Sequence, residues 1–247
     1  MVFVLAFVVG AVIGSFVTLV ADRLPHGETW VTGRSSCRSC AHPLGPLELV
    51  PLVSYIVQRG RCAHCRAALP PDLWLGELAG AAVAVIAVAR GGDPAGIMAL
   101  ALFGWALVLL ALLDARHLWL PDAITLPLAA GGLAAALVLP FPAFGERALG
   151  LALGWLALEA LRQGYRRLRH REGLGGGDPK LLGAIGAWLG ASSLPVVVLV
   201  AALIGLAWAG LQAARGRPAG GTTPIPLGTM LALAALAWIA FGQGVLA

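Results

Sequence analysis

Charge is the scarcest property of this chain. Only 12% of its 247 residues are Asp, Glu, Lys or Arg, while 59% are hydrophobic, and the mean hydropathy is +0.87. A soluble domain of this length needs far less apolar material for its core. The apolar stretches also lack period-2 alternation, which excludes a membrane β-barrel. The first 21 residues have no basic segment ahead of their apolar run, and the run is too long for a cleaved signal peptide, so they read as a retained span. No repeat of fixed period stands out, and G-x4-G-K-[ST] is absent, which argues against a phosphate-cradling loop.

What is present is a succession of apolar stretches that approach or exceed the ~20 residues a helix needs to cross a bilayer. They predict an all-α integral membrane protein with about eight transmembrane helices, at 1–21, 73–90, 97–120, 123–140, 143–161, 180–193, 195–213 and 225–246. One extramembrane segment lies between the first two spans. The expected organisation is a first span (1–21), a four-cysteine loop (22–72) and a multi-span domain (73–247). With eight spans the loops alternate sides, and of the 17 Lys and Arg residues only Arg90 and Arg147 fall opposite the rest. The positive-inside rule makes the crowded side cytoplasmic. The basic run RQGYRRLRHR, residues 162–171, therefore reads as a juxtamembrane cluster on anionic lipid headgroups; nucleic acid is not expected, because no recognition module accompanies the charge.

All four cysteines fall in the loop, as CRSC (Cys37, Cys40) and CAHC (Cys62, Cys65). A cytoplasmic loop disfavours two stable disulfides. Two C-x2-C pairs suit a tetrahedral four-sulfur site, each short turn aiming two thiolates at one ion, so structural Zn2+ is expected; free or redox-active thiols are the alternative. His64, inside the second pair, is a possible substitute ligand, and His42 lies nearby.

Acidic residues are few, and two have unusual settings. Asp114 follows the 17 uncharged residues Ile97 to Leu113, and an ionisable group in such a place is a functional candidate by default. A helix ending at Leu113 would instead leave it solvated beside Arg116. Asp178 sits in Gly175-Gly176-Gly177-Asp178-Pro179-Lys180. Aspartate before proline is an ordinary helix cap, but three glycines exceed what a cap requires; they permit unusual torsions and close approach of another backbone. The expected topology puts both carboxyl groups near one membrane face, where a pair can share a proton, one activating water while the other acts as acid. That is aspartyl protease chemistry. Asp122 reads as the cap of the following helix, and Glu159 as a partner of Arg162 or Arg166.

Gly175-Gly176-Gly177-Asp178 fits the G-x-G-D signature of membrane-embedded aspartyl proteases, and the chain resembles the bacterial type IV prepilin peptidases from end to end. Gly14-Ser15-Phe16 with Arg23-Leu24-Pro25, the cysteine pairs, Asp114 with Leu120-Pro121-Asp122 and Pro127, and Gly177-Asp178-Pro179-Lys180 are similar to successive motifs of that family. The resemblance implies that Asp114 and Asp178 are the catalytic pair in a bacterial cytoplasmic membrane. It implies substrates too: prepilin or type II secretion pseudopilin precursors, whose basic leader is cut after a glycine. Members with the cysteine loop also N-methylate the exposed residue, commonly phenylalanine, using S-adenosylmethionine. Glu77-Leu78-Ala79-Gly80 matches an E-L-x-x-G segment, which makes Glu77 and Gly80 candidates for the methyl-donor site. Glu28, Glu48 or Glu77 is expected to receive the basic leader. The chain departs from the pattern at Thr18 (commonly Asn), Asp22 (commonly Tyr), Arg38 (often Pro) and Pro226-Leu227-Gly228-Thr229 (P-F-G-P). Two other classes fit parts of this reading: a membrane scaffold that docks through its zinc loop, and a proton-coupled transporter with Asp114 as relay.

Overall fold

The computed structural model describes residues 1–31, 33–171, 173–216 and 225–242. Their regular structure is helical, and extended pairing among them is limited to two isolated bridges in the cysteine segment. The chain divides into two compact units, Met1–Ala89 and Arg90–Ala247.

In the N-terminal unit, α1 (Val2–Arg23) and α3 (Pro71–Arg90) flank the cysteine segment, which contains the short α2 (Val53–Val57). Glycine lets α1 and α3 touch through their backbones. A Cβ on Gly80 would lie 2.5 Å from both the Gly10 carbonyl oxygen and the Gly14 Cα, a small-residue contact of the kind membrane helices use in place of a hydrophobic driving force.

The C-terminal unit contains α4 (Pro94–His117), α5 (Asp122–Ala134), α6 (Phe144–Arg169), α7 (Asp178–Leu189), α8 (Leu194–Ala214) and α9 (Leu227–Phe241). Its centre is α7, in which every residue except Lys180 is buried. Gly154 brings α6 against α7, where a Cβ would lie 2.6 Å from the Leu182 carbonyl oxygen. On another side the Trp188 indole N–H donates to Leu128 O of α5 at 2.8 Å, and the Trp188 ring stacks on Phe103 of α4 at 4.6 Å between centroids. Arg147, fully buried in α6, satisfies carbonyls that the helix ends leave open. Its guanidinium donates to Gly132, Phe141, Pro142, Ala187 and Trp188 oxygens at 2.8–3.3 Å. Ala187 and Trp188 belong to the last turn of α7, whose carbonyls have no N–H donor within their own helix.

All eight expected segments contain a helix, and among the described residues four helices are long and apolar enough to cross a membrane by length and composition: Val2–His26, Pro71–Arg90, Pro94–His117 and Ala191–Ala214. The eight expected segments are thus matched by four span-length helices and four further helical segments. At 1.5 Å per residue, the 12 residues of α7 cover about 18 Å and the 13 of α5 about 20 Å, short of the ~30 Å hydrocarbon core. The 26-residue α6 is long enough but ends in Arg166, Arg167 and Arg169. Arg217 and the end of the expected 225–246 span lie outside the described residues.

Candidate active site

The helix α4 does not stop at Leu113. It runs to His117 and closes through Leu118, which takes a left-handed conformation (φ 51°) and donates its N–H to Asp114 O at 2.9 Å. Asp114 therefore sits within the last turn and is only 5% exposed. Asp178, 6% exposed, is the first residue of α7, with Gly177 rather than the aspartate in the capping position. Its Oδ2 accepts the Gly175 N–H at 3.1 Å, folding the carboxylate back over its own loop.

The Asp114 carboxylate meets a different helix end. Its Oδ2 accepts the backbone N–H of Thr229 at 2.7 Å and lies 3.0 Å from the Thr229 hydroxyl, and the Gly228 N–H is directed at the same carboxylate. Asp114 thus faces first-turn N–H groups of α9, whereas Asp178 is held by the loop that precedes α7. Leu120 packs between the two corners. A Cβ at Gly177 would lie 2.6 Å from Leu120 Cβ, and one at Gly228 would lie 2.7 Å from Leu120 Cδ1 and 3.0 Å from Asp114 Cγ. Leu120 thereby links the Asp114 corner to the loop that leads into Asp178.

These contacts revise the role of the three glycines. None of Gly175, Gly176 and Gly177 has a positive φ; Gly177 has an ordinary helical conformation (φ −83°, ψ −28°). Glycine is required there by the approach of Leu120 and not by torsion. Asp122 is also not a cap: Pro121 occupies that position, and the Asp122 carboxylate receives Lys180 Nζ at 2.6 and 2.7 Å, tying the first turn of α5 to the first turn of α7. Glu159 pairs with Arg162 as expected, both contacts at 2.9 Å.

In the N-terminal unit the four cysteine sulfurs lie within 4.8 Å of one another. Each pair is held by the same turn. Cys37 N–H donates to His42 O at 2.9 Å and Cys62 N–H to Ala67 O at 2.9 Å; Ala41 and Arg66, four residues after each first cysteine, both have positive φ, 56° and 60°. Four sulfurs 2.3 Å from a central zinc would be about 3.8 Å apart, and Cys37 and Cys65 Sγ are separated by 3.8 Å. The N–H groups of Cys40 and Ser39 bring the Cys37 thiol down to about 6, while burial opposes them. For Cys40 the His42 N–H acts in the same downward sense, yet burial and the sulfurs of Cys65 and Cys37 push it up to about 12. Such crowding of sulfur favours a dication among them. The two histidines stack on each other, with ring centroids 4.4 Å apart and 8° between planes.

The same unit encloses a cavity of roughly 340 Å³, lined in part by Asp22, Glu28, Glu48 and Glu77 together with Arg23 and Arg38. Glu77 accepts from Ser15 Oγ at 2.9 Å and from Leu52 N–H at 2.7 Å, and Glu48 accepts from Gly45 N–H at 2.8 Å. Two of the departures from the family pattern are partners, since Arg38 forms an ion pair with Asp22. Gly80 lies in the α1–α3 contact and not on the cavity wall.

Residues 8–90 match the bacterial peptidase A24 N-terminal domain, and residues 101–210 match the type IV leader peptidase family. A prepilin leader peptidase/N-methyltransferase of Aeromonas hydrophila is 36% identical, over 98% of this chain and 91% of its own length. The chain belongs to the type IV leader peptidase family. Proteins with the same description from Burkholderia pseudomallei (39% identity, 96% of this chain and 84% of theirs) and Pseudomonas aeruginosa (34%, 95% and 88%) agree. No solved structure matches significantly. Both aspartates fall in the leader peptidase match, and all four cysteines with Glu77 fall in the N-terminal match. Family membership makes the scaffold and transporter readings unnecessary. Sequence reasoning missed Thr229, which lies beyond both matches, and the Asp122–Lys180 pair; the one visible signal was the departure of Thr229 from P-F-G-P.

Proposed function

We propose that this chain is a membrane aspartyl peptidase that removes the basic leader from type IV prepilin or type II secretion pseudopilin precursors and N-methylates the residue it exposes. The observation that carries the reading is the pair of buried carboxyl groups, Asp114 and Asp178, at the C-terminal end of α4 and the N-terminal end of α7, with Leu120 packed between their two corners. One carboxylate takes a proton from water, whose oxygen attacks the scissile carbonyl carbon. The other, protonated, gives its proton to the carbonyl oxygen. Collapse of the resulting diol breaks the C–N bond, and a proton passes to the departing amine. The buried setting strengthens both proton transfers by keeping bulk water away.

The cysteine segment, residues 22–72, acts in this reading as a loop held by Zn2+ through Cys37, Cys40, Cys62 and Cys65; residues 73–247 form the peptidase part. Zinc supplies structure there and takes no part in cleavage. S-adenosylmethionine supplies the methyl group, and Glu77 on the cavity wall is its candidate contact. The acids lining the cavity suit a basic leader by charge. The uneven placement of Lys and Arg supports a bacterial cytoplasmic membrane location with the site facing the cytoplasm.

The test uses purified wild type, Asp114→Asn and Asp178→Asn with a precursor peptide that keeps its leader and first membrane segment, in the presence of S-adenosylmethionine, read by mass spectrometry. The wild type is expected to release the leader and add one methyl group to the product, and both variants are expected to leave the peptide whole. Cleavage by either folded variant contradicts the proposal.

A further inference from the structure

We propose that Thr229 is a positioning residue for Asp114, whose hydroxyl holds the carboxylate's Oδ2 so that Oδ1 is the oxygen presented to water and substrate. The inference rests on the reading of Asp114 as catalytic. Thr229 lies in the first turn of α9, after a capping position occupied by Pro226, which offers no side-chain acceptor. The first N–H groups of a helix have no acceptor within it. Here the carboxylate of another helix fills that place: Asp114, 115 positions earlier, accepts the Thr229 N–H at 2.7 Å. The cap and the candidate catalytic group are therefore one carboxylate, and the end of α9 fixes its plane.

The hydroxyl adds a second contact with a property the N–H lacks. Thr229 Oγ lies 3.0 Å from Asp114 Oδ2 and 3.1 Å from the Ala111 carbonyl oxygen. It has one proton and two acceptors, and its own lone pairs accept as well. When Asp114 is a carboxylate, the proton points to Oδ2. When Asp114 has taken a proton during the reaction, the hydroxyl turns to Ala111 O without moving its oxygen, so the carboxyl group stays in register through a change of charge. Proline at this position would supply neither the N–H nor the hydroxyl.

The decisive comparison is among wild type, Thr229→Val, which keeps the shape and the N–H but loses the hydroxyl, and Thr229→Ser, which keeps the hydroxyl and loses the methyl. Initial cleavage rates of the precursor peptide over a range of concentrations, with thermal unfolding of each protein in the same detergent, separate catalysis from folding. Thr229→Val is expected to lower kcat about ten- to a hundredfold with KM within about twofold, the size of one hydrogen bond to a charged group that is made more strongly in the transition state. Thr229→Ser is expected to recover to within about threefold of wild type. An unchanged kcat in folded Thr229→Val overturns the inference, and so does Thr229→Ser as impaired as Thr229→Val, which would mean that the methyl matters instead. Asp114→Asn run alongside keeps the two claims apart: its activity would contradict the proposed function itself, whatever the Thr229 variants do.

Discussion

Arg147 and Asp114 show how this protein keeps charged side chains inside an apolar bundle. Each is surrounded by backbone groups that a helix end leaves open, carbonyls for the guanidinium and N–H groups for the carboxylate. A buried charge satisfied in this way avoids the large penalty of burying it alone. Arg147→Met keeps the bulk but leaves five carbonyl oxygens without their donor. It is expected to destabilise the fold by on the order of 3 kcal/mol, visible as a drop of several degrees in Tm measured in detergent; a Tm equal to wild type would show that water or neighbours replace the guanidinium. These partners were illegible in the sequence for a simple reason. Arg147 reaches oxygens 40 and 41 positions away and Thr229 reaches 115 positions back, and nothing local marks either residue. Asp114 and Asp178 were legible because a lone acid after an apolar run, or inside a glycine run, is locally anomalous.

At the scale of the element, the two cysteine turns are copies of one device. The first cysteine donates to the carbonyl five residues on, and the residue four on is in the left-handed region. That conformation costs a non-glycine residue about 1 kcal/mol, yet Ala41 and Arg66 occupy it. Glycine at both positions is expected to raise the metal-loaded protein's resistance to unfolding by about 1–2 kcal/mol in total, while Cys62→Ser is expected to lose bound zinc, measured as metal content after gel filtration. Full zinc retention in Cys62→Ser would contradict the four-sulfur site. The spacing of the cysteines made this device readable, since the chemistry is confined to a few consecutive residues. Span count was less readable. Hydropathy marks an apolar stretch but not what surrounds it, and α7, only 12 residues long, is buried among other helices with last-turn carbonyls held by Arg147.

At the scale of the whole molecule, the chain is strongly basic, with a net charge of +5, and the proposed substrate brings a basic leader. The cavity acids answer that conflict locally. Glu48 and Glu77 already accept backbone N–H groups, which fixes their carboxylates on the wall. Replacing Glu28, Glu48 and Glu77 together by Gln is expected to raise KM for the precursor about tenfold or more at low salt, with a smaller effect at high salt, where screening weakens the attraction in both proteins. An unchanged KM would dismiss the cavity as the leader's seat. The family was legible from motifs spread along the entire chain, and Asp22 with Arg38 shows the limit of that approach: two departures that looked independent are one ion pair.

The central claim is that Asp114 and Asp178 work as a unit, and single-turnover cleavage by Asp114→Asn, Asp178→Asn and the double variant tests it most directly. Groups that share one proton are strongly non-additive. The account expects each single variant to lose nearly all activity and the double variant to be no worse than either. Losses that multiply in the double variant, or a single variant that still cuts at an appreciable rate, would contradict it.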